Sequence, residues 1–165
     1  MSQQEGQLQE LCFHVPPRFQ LGLSSGPCAG NTLAPKGFNF TVGRTKTSRI
    51  HIKDPSVSEK HAEVCWNGRS WLVRDLGSSN GTKLNGVRLQ PFESRELCDG
   101  NELMFGSDSV GKVQLTPVDL SSCTIEQMLN CLHEALAQSL QTQAHDEAAA
   151  LLKDWGAASA ELRAA

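Results

Sequence analysis

Apolar and polar side chains alternate with a period of two through several short stretches of this chain, and past residue 124 the period becomes helical. Phe38, Phe40 and Val42 fall on one face of the segment 38–42, and Ile50 and Ile52 repeat the pattern on a smaller scale. The segments 61–66 and 70–74 flank Asn67-Gly68-Arg69, which has the form of a tight hairpin turn. Asn80-Gly81 and Asn85-Gly86 are two further turns of the kind that favours positive φ. Residues 102–105 and 110–118 supply the last strands. Many short strands with turn signals every few residues predict an all-β sandwich of two antiparallel sheets.

The chain then changes character. Thr124-Ile125-Glu126-Gln127 has the form of a capping box, a hydroxyl followed three residues later by Gln. Ile125, Met128, Leu129, Leu132, Leu136 and Leu140 follow at helical spacing, and an apolar run of Ala148, Leu151, Leu152, Trp155 and Leu162 continues this helix or forms a second one. Gly156 weakens its end. The stripe either packs on the chain's own sandwich or serves self-association or a partner; its heptad spacing is imperfect. Three regions result: a polar, disordered lead over 1–10, a β domain over 11–118, and an amphipathic helical region over 119–165.

Composition narrows the function classes. A chain of 165 residues suits one domain with a proper core. The Gln-rich start has neither a basic flank nor an apolar signal core, and no apolar run reaches membrane-spanning length, so an intracellular protein, in nucleus or cytoplasm and without membrane contact, is expected. The six cysteines form no Cys-x-x-Cys pair, which predicts reduced thiols and no metal site. Asn39-Phe40-Thr41 and Asn80-Gly81-Thr82 then carry no meaning as glycosylation sequons. Residues 1–118 have a charge balance of +2 and the remainder −5, so there is no basic stripe for nucleic acid. Arg44, Lys46, Arg49, Lys53 and Lys60 gather locally as an anion site at most.

Around those cations the sequence sets Gly43-Arg44, Ser58-Glu59-Lys60-His61, Gly77-Ser78-Ser79-Asn80-Gly81-Thr82 and Asn85-Gly86 in order. A guanidinium fork makes two charge-assisted bonds to phosphate oxygens and stays protonated. Ser58 and Ser79 add short hydroxyl donors that lose little rotamer entropy, and Asn80 offers both a donor and an acceptor to a peptide main chain. Each piece alone is common; the ordered set is not.

That set resembles the forkhead-associated (FHA) family, whose pattern of Gly-Arg, Ser-x-x-His, Ser-x-Asn-Gly-Thr and Asn-Gly is matched at Gly43, Arg44, Ser58, His61, Ser79, Asn80, Gly81, Thr82, Asn85 and Gly86. The resemblance covers residues 11–118 and includes Asp54-Pro55-Ser56-Val57 and Asp75-Leu76-Gly77. It implies an FHA-like sandwich and a reader of a threonine-phosphorylated protein or peptide, with no cofactor. Arg44, Ser58 and Ser79 are implied for phosphate and Asn80 for the peptide main chain. His61 is implied as a buried imidazole that orients the Ser58 loop, with Gly43, Gly81, Thr82, Asn85 and Gly86 as loop supports. Selectivity three residues after the phosphothreonine is implied for Ser56 and for the loop beginning Gly106-Ser107. Glu59 departs from the basic or neutral residue of relatives and disfavours strongly acidic ligands, and Arg49 stands where an acid or amide is common.

Rival readings are weaker. Ser58, His61 and Asp75 are a possible hydrolytic trio, but the chain has no Gly-x-Ser-x-Gly elbow and His61 at i+3 is badly placed to activate Ser58. The stretch 77–83 lacks the Gly-Lys-Ser/Thr ending of a nucleotide loop. An enzyme is not expected. The alternative to a phosphopeptide reader is a phospho-independent scaffold working through the sandwich face and the tail helix.

Overall fold

The computed structural model describes residues 15–119, 121 and 124–164, so the lead over 1–10 lies outside the described residues. The strands begin with β1 (Arg18–Leu23), β2 (Thr32–Leu33), β3 (Asn39–Gly43), β4 (Ile50–His51) and β5 (Ala62–Trp66). They continue with β6 (Trp71–Asp75), β7 (Thr82–Leu84), β8 (Val87–Arg88), β9 (Ser94–Leu97), β10 (Glu102–Phe105) and β11 (Ser109–Thr116). One sheet has the order β2-β1-β11-β10-β7-β8 and the other β4-β3-β5-β6-β9. The ladders are antiparallel except β3 with β4, which is parallel through Val42↔Ile50 and Gly43↔His51.

The period-two pattern becomes the core. Phe19, Leu21 and Leu23 of β1 turn inward, and Phe40 and Val42, Val64 and Trp66, and Trp71 and Val73 do the same from the facing sheet. Leu103, Phe105 and Val113 join Phe19, Leu21 and Leu23 from the sheet that holds β1. Trp71, 2% exposed, is the hub: its ring centroid lies 5.5 Å from Phe19, 5.5 Å from Phe40 and 5.7 Å from Trp66. Its indole N–H donates to the Pro17 carbonyl at 2.9 Å, so the polar edge of the largest core side chain is satisfied. The hairpin turn at 67–70 is held by Asn67, whose side-chain oxygen accepts the Arg69 and Ser70 N–H groups at 3.0 and 2.8 Å.

The tail is one continuous helix, α1 (Ile125–Ala164), that passes through Gly156 rather than ending there. The capping box forms: the Gln127 N–H donates to Thr124 Oγ1 at 3.2 Å, and the Thr124 N–H donates to the Gln127 side-chain oxygen at 3.0 Å. The helix lies beside β5, but not through its leucines. Ala135 is buried and Met128, Cys131 and Gln138 are half-buried, whereas Ile125, Leu129 and Leu140 are 73%, 61% and 58% exposed. Residues 128, 131, 135 and 138 form one i, i+3, i+4 row, and its small Cys131 and Ala135 allow close approach to the sheet. The wide apolar stripe is therefore split: Met128 and Leu132 are half-buried, and most of its leucines face solvent.

Helix-side and strand-side polar groups meet in a cleft: Gln138 and Gln141 lie with Asn39, Glu63, Cys65 and Arg74. Arg74 and Glu63, opposite one another across β5 and β6, form an ion pair beneath the helix. Cys28 and Cys98 are free thiols.

Replacing Trp71 by Ala removes the hub of the aromatic cluster and is expected to lower stability by about 3–5 kcal/mol, read as a shifted urea midpoint. A loss below about 1 kcal/mol would mean that the two sheets close without it.

Candidate functional site

Four connections meet at one end of the sandwich: 44–49 after β3, 52–61 after β4, 76–81 after β6, and 106–108 after β10. The first starts at Gly43, where a Cβ would stand 2.0 Å from the Glu59 carbonyl oxygen and 2.7 Å from Ser48 Oγ. Close approach of the neighbouring loop, rather than a tight turn, requires glycine at this position. Arg44 follows and is clamped to that loop twice: its N–H donates to the Ser58 carbonyl at 3.0 Å and its Nε–H to the Val57 carbonyl at 3.1 Å. The two terminal nitrogens of the exposed guanidinium have no partner among the described residues. Fixing Nε leaves the fork facing outward in one orientation.

His61 ties this loop to the next. The Ser58 N–H donates to His61 Nδ1 at 3.0 Å, so Nδ1 is the acceptor and Nε2 carries the ring proton. Nε2–H then donates to the Gly81 carbonyl at 3.0 Å. With both nitrogens bonded to backbone and no exposed surface, the imidazole cannot take a proton from the Ser58 hydroxyl, so the Ser58, His61, Asp75 trio is not a hydrolytic one. The Ser79 N–H donates to Ser58 Oγ at 3.1 Å, which occupies an acceptor position of that hydroxyl and leaves its proton to be donated elsewhere. Asn80 Nδ2–H donates to the Ser56 carbonyl at 2.7 Å, and Ser56 Oγ accepts the Ser107 N–H at 3.0 Å. One chain of hydrogen bonds thus links all four loops.

Two buried carboxylates hold these loops from below. Asp75 accepts the Gly77 and Ser78 N–H groups at 2.9 and 3.0 Å, the Ser78 hydroxyl at 2.6 Å and the Thr82 hydroxyl at 2.7 Å. Asp54 accepts the Ser56 N–H and hydroxyl, each at 2.8 Å, and the buried Ser109 hydroxyl at 2.6 Å. Burial by itself raises both carboxyl pKa values, but the donated hydrogen bonds outweigh it, Ser78 and Thr82 foremost at Asp75 and Ser109 foremost at Asp54. Both therefore titrate below the ordinary carboxylate value. Burial lowers the His61 pKa. The Gly81 bond and the charges of Asp75 and Asp54 push it back up without cancelling that effect, so His61 stays below 6.5.

The structure brings Arg44, Ser58, Ser79 and Asn80 to one rim, with Ser56, Gly106 and Ser107 beside them. Thr82 lies beneath, in the core, bonded to Asp75. Gly81 adopts φ +82°, the left-handed region that the turn needs. Asn85 and Gly86 sit away from the rim, at the far end of β7, where φ values of 49° and 81° make the β7–β8 turn. Asn85 braces that turn against β10 through bonds to the Glu102 N–H and carbonyl, both 2.8 Å. Residue patterns alone single out neither Asp54 nor Asp75 as a support. The signal was the Asp followed two or three residues later by Ser, a turn in which the carboxylate caps backbone N–H groups.

All three buried groups bind protons less readily folded than unfolded, so protons favour the unfolded chain. Stability is expected to hold above the ordinary His value of 6.5, to fall first as His61 must be charged, and to fall again below 3.8 as Asp54 and Asp75 are protonated. Asp75→Asn should cost about 1–3 kcal/mol at neutral pH and soften the acid limb, both read from urea melts across pH. A flat profile from pH 7 to 3 in the parent chain would contradict this assignment.

Known proteins resemble this chain in sequence and in fold. The FHA domain family model matches residues 40–106. The FHA domain-containing protein At4g14490 of Arabidopsis thaliana is 39% identical over 94 residues, which cover 56% of this chain; the chain spans only 24% of that relative's length. The solution structure of the FHA domain of an Arabidopsis thaliana hypothetical protein is 34% identical, with a TM-score of 0.61 over 64% of this chain and 92% of the other. A second structure, from a structural and functional analysis of phosphothreonine-dependent FHA domain interactions, is 28% identical with a TM-score of 0.52, over 61% of this chain and 99% of the other. With its loop motif, its two-sheet sandwich and these relatives in agreement, the chain belongs to the FHA domain family.

Proposed function

We propose that this chain is a phosphothreonine-dependent adaptor that captures a threonine-phosphorylated protein through the rim of Arg44, Ser58, Ser79 and Asn80. The observation that carries the reading is the clamped Arg44: its Nε is bonded to Val57, and its terminal nitrogens stand open next to the Ser58 loop. A phosphothreonine brings close to two negative charges and three acceptor oxygens at neutral pH. The fork supplies two charge-assisted donors, and the hydroxyls of Ser58 and Ser79 supply two more. Asn80, held by the hydrogen bond that its Nδ2–H donates to the Ser56 carbonyl, keeps its side-chain oxygen for the peptide main chain. Gly43, His61, Gly81 and Thr82 position the loops; Asn85 and Gly86 brace the β7–β8 turn away from the rim; Ser56, Gly106 and Ser107 are assigned to residues beyond the phosphothreonine.

The FHA unit is assigned to residues 11–118 and the appended helix to 119–165, in an intracellular protein of the nucleus or cytoplasm. No helix among the described residues is long and apolar enough to cross a membrane. The helix supports a second contact, self-association or a partner surface, because Ile125, Leu129, Leu136 and Leu140 are exposed while its other side meets β5.

Titration calorimetry against phosphothreonine, phosphoserine and unphosphorylated versions of one peptide tests the first contact. Selective binding of the phosphothreonine form is expected, and Arg44→Ala should weaken it at least about tenfold, as for loss of a charged hydrogen bond. Binding that ignores the phosphate, or survives Arg44→Ala unchanged, would refute it. For the second contact, changing Leu129, Leu136 and Leu140 to Ser should leave phosphopeptide affinity intact and shift stability by less than about 0.5 kcal/mol per site. The same variant should abolish any concentration-dependent rise in mass. Large destabilisation would mean that the leucines serve the fold.

A further inference from the structure

Beside the rim, on β8, Arg88 occupies an unusual position. Its Nε, Cζ and Nη2 lie 2.7, 2.8 and 2.8 Å from the point where a Cβ would stand on Gly81. Three atoms nearly equidistant from that point mean that the guanidinium plane, not its tip, is turned toward the glycine. Any side chain at 81 would displace it. Gly81 is buried and follows Asn80 directly, so the residue that the cation covers is one Cα step, about 3.8 Å, from the rim. A face-on guanidinium keeps its N–H edges free to point along the surface.

A second observation points to a ligand. Arg88 stands directly opposite Lys83 in the β7–β8 register. Like charges facing across an antiparallel pair are destabilising and are usually relieved by a neighbouring acid. Neither side chain has an ion pair or hydrogen bond among the described residues; the ion pairs there are Arg74 with Glu63 and Arg95 with Glu93. The β10 neighbour on the other side of Lys83 is Met104, which offers no charge. Two unrelieved cations therefore stand on the β7–β8 ribbon that follows Asn80, while the backbone carbonyl of Glu59 lies against Thr45 and Ser48.

Resting on the phosphothreonine reading, we propose that Arg88, with Lys83 behind it, forms a second anion subsite that selects phosphothreonine peptides carrying a further acidic group close to the phosphothreonine. The group is a carboxylate or a second phosphate, since both offer the two coplanar or clustered oxygens that a guanidinium edge engages. Phosphate capture at Arg44 anchors the peptide; the Arg88 edge then ranks the peptides that share the anchor.

The test measures fluorescence anisotropy for three kinds of phosphothreonine peptide: neutral flanks, Asp or Glu flanks placed on either side in turn, and a second phosphorylated residue. The parent chain is compared with Arg88→Gln, which keeps cover over Gly81 and loses the charge. The acidic and doubly phosphorylated peptides are expected to bind the parent about three- to fivefold tighter than the neutral one, as an exposed charge pair allows. That preference should shrink with salt and disappear in Arg88→Gln, while affinity for the neutral peptide stays within about twofold. An equal loss for all peptides in Arg88→Gln would make Arg88 a structural cover and overturn the subsite. Equal binding of neutral and acidic peptides by the parent chain would overturn this inference alone. Failure of the parent chain to bind any phosphothreonine peptide would overturn the phosphothreonine reading, and the subsite with it.

Discussion

A single uncharged imidazole fixes the geometry of the rim. His61 accepts the Ser58 N–H on one side and donates to the Gly81 carbonyl on the other, so the loop after β4 and the loop after β6 share one rigid spacer. Protonation would replace the Nδ1 acceptor by a donor facing the Ser58 N–H, and the bond would become a repulsion. Burial that disfavours charge is thus what keeps the spacer in the state that holds the site together. The two carboxylates beneath it act in the opposite sense: they stay charged because the loops they organise surround them with hydrogen-bond donors. Loops on a scaffold are usually its mobile part; these are tied to the core at Thr82, Ser109 and His61, each of them buried.

Much of this was legible in the residues. The strands over 38–42, 61–66 and 70–74 were visible as period-two alternation because each turns alternate side chains into the sandwich core. The short β2 and β8, two residues each, carry too few positions to show a period at all. The order of the loop motifs placed Arg44, Ser58, Ser79 and Asn80 in one set, and the hydrogen bonds show why they converge. What pattern could not show is reach. The spacing of Asp75 and Ser78 signals a capped turn but not that Asp75 also takes the Thr82 hydroxyl, and nothing in Arg88 says that it folds back over Gly81, because both depend on how separate turns and strands come together in space.

The helix marks where periodicity stops being informative. A stripe of Ile125, Leu129, Leu136 and Leu140 predicts an apolar face, but the face that meets the sandwich is the adjoining one, with Ala135 buried and polar Gln138 and Gln141 near the Arg74–Glu63 pair. Helical spacing tells which side is apolar, not which neighbour is close enough to use it. A helix docked through small and polar side chains and carrying leucines outward leaves apolar surface in water, and such surface marks an interaction site more often than a free solvent boundary. The chain thus presents two separate surfaces, a charged rim at one end of the sandwich and an exposed apolar ridge on the helix beside it.

The most direct test of the phosphothreonine rim is a backbone amide NMR titration of the full chain with a phosphothreonine peptide. The largest shifts are expected at residues 44–48, 56–58, 78–81 and 106–108, with the amides along α1 unmoved. Shifts confined to α1, or none at any of the four loops, would contradict it.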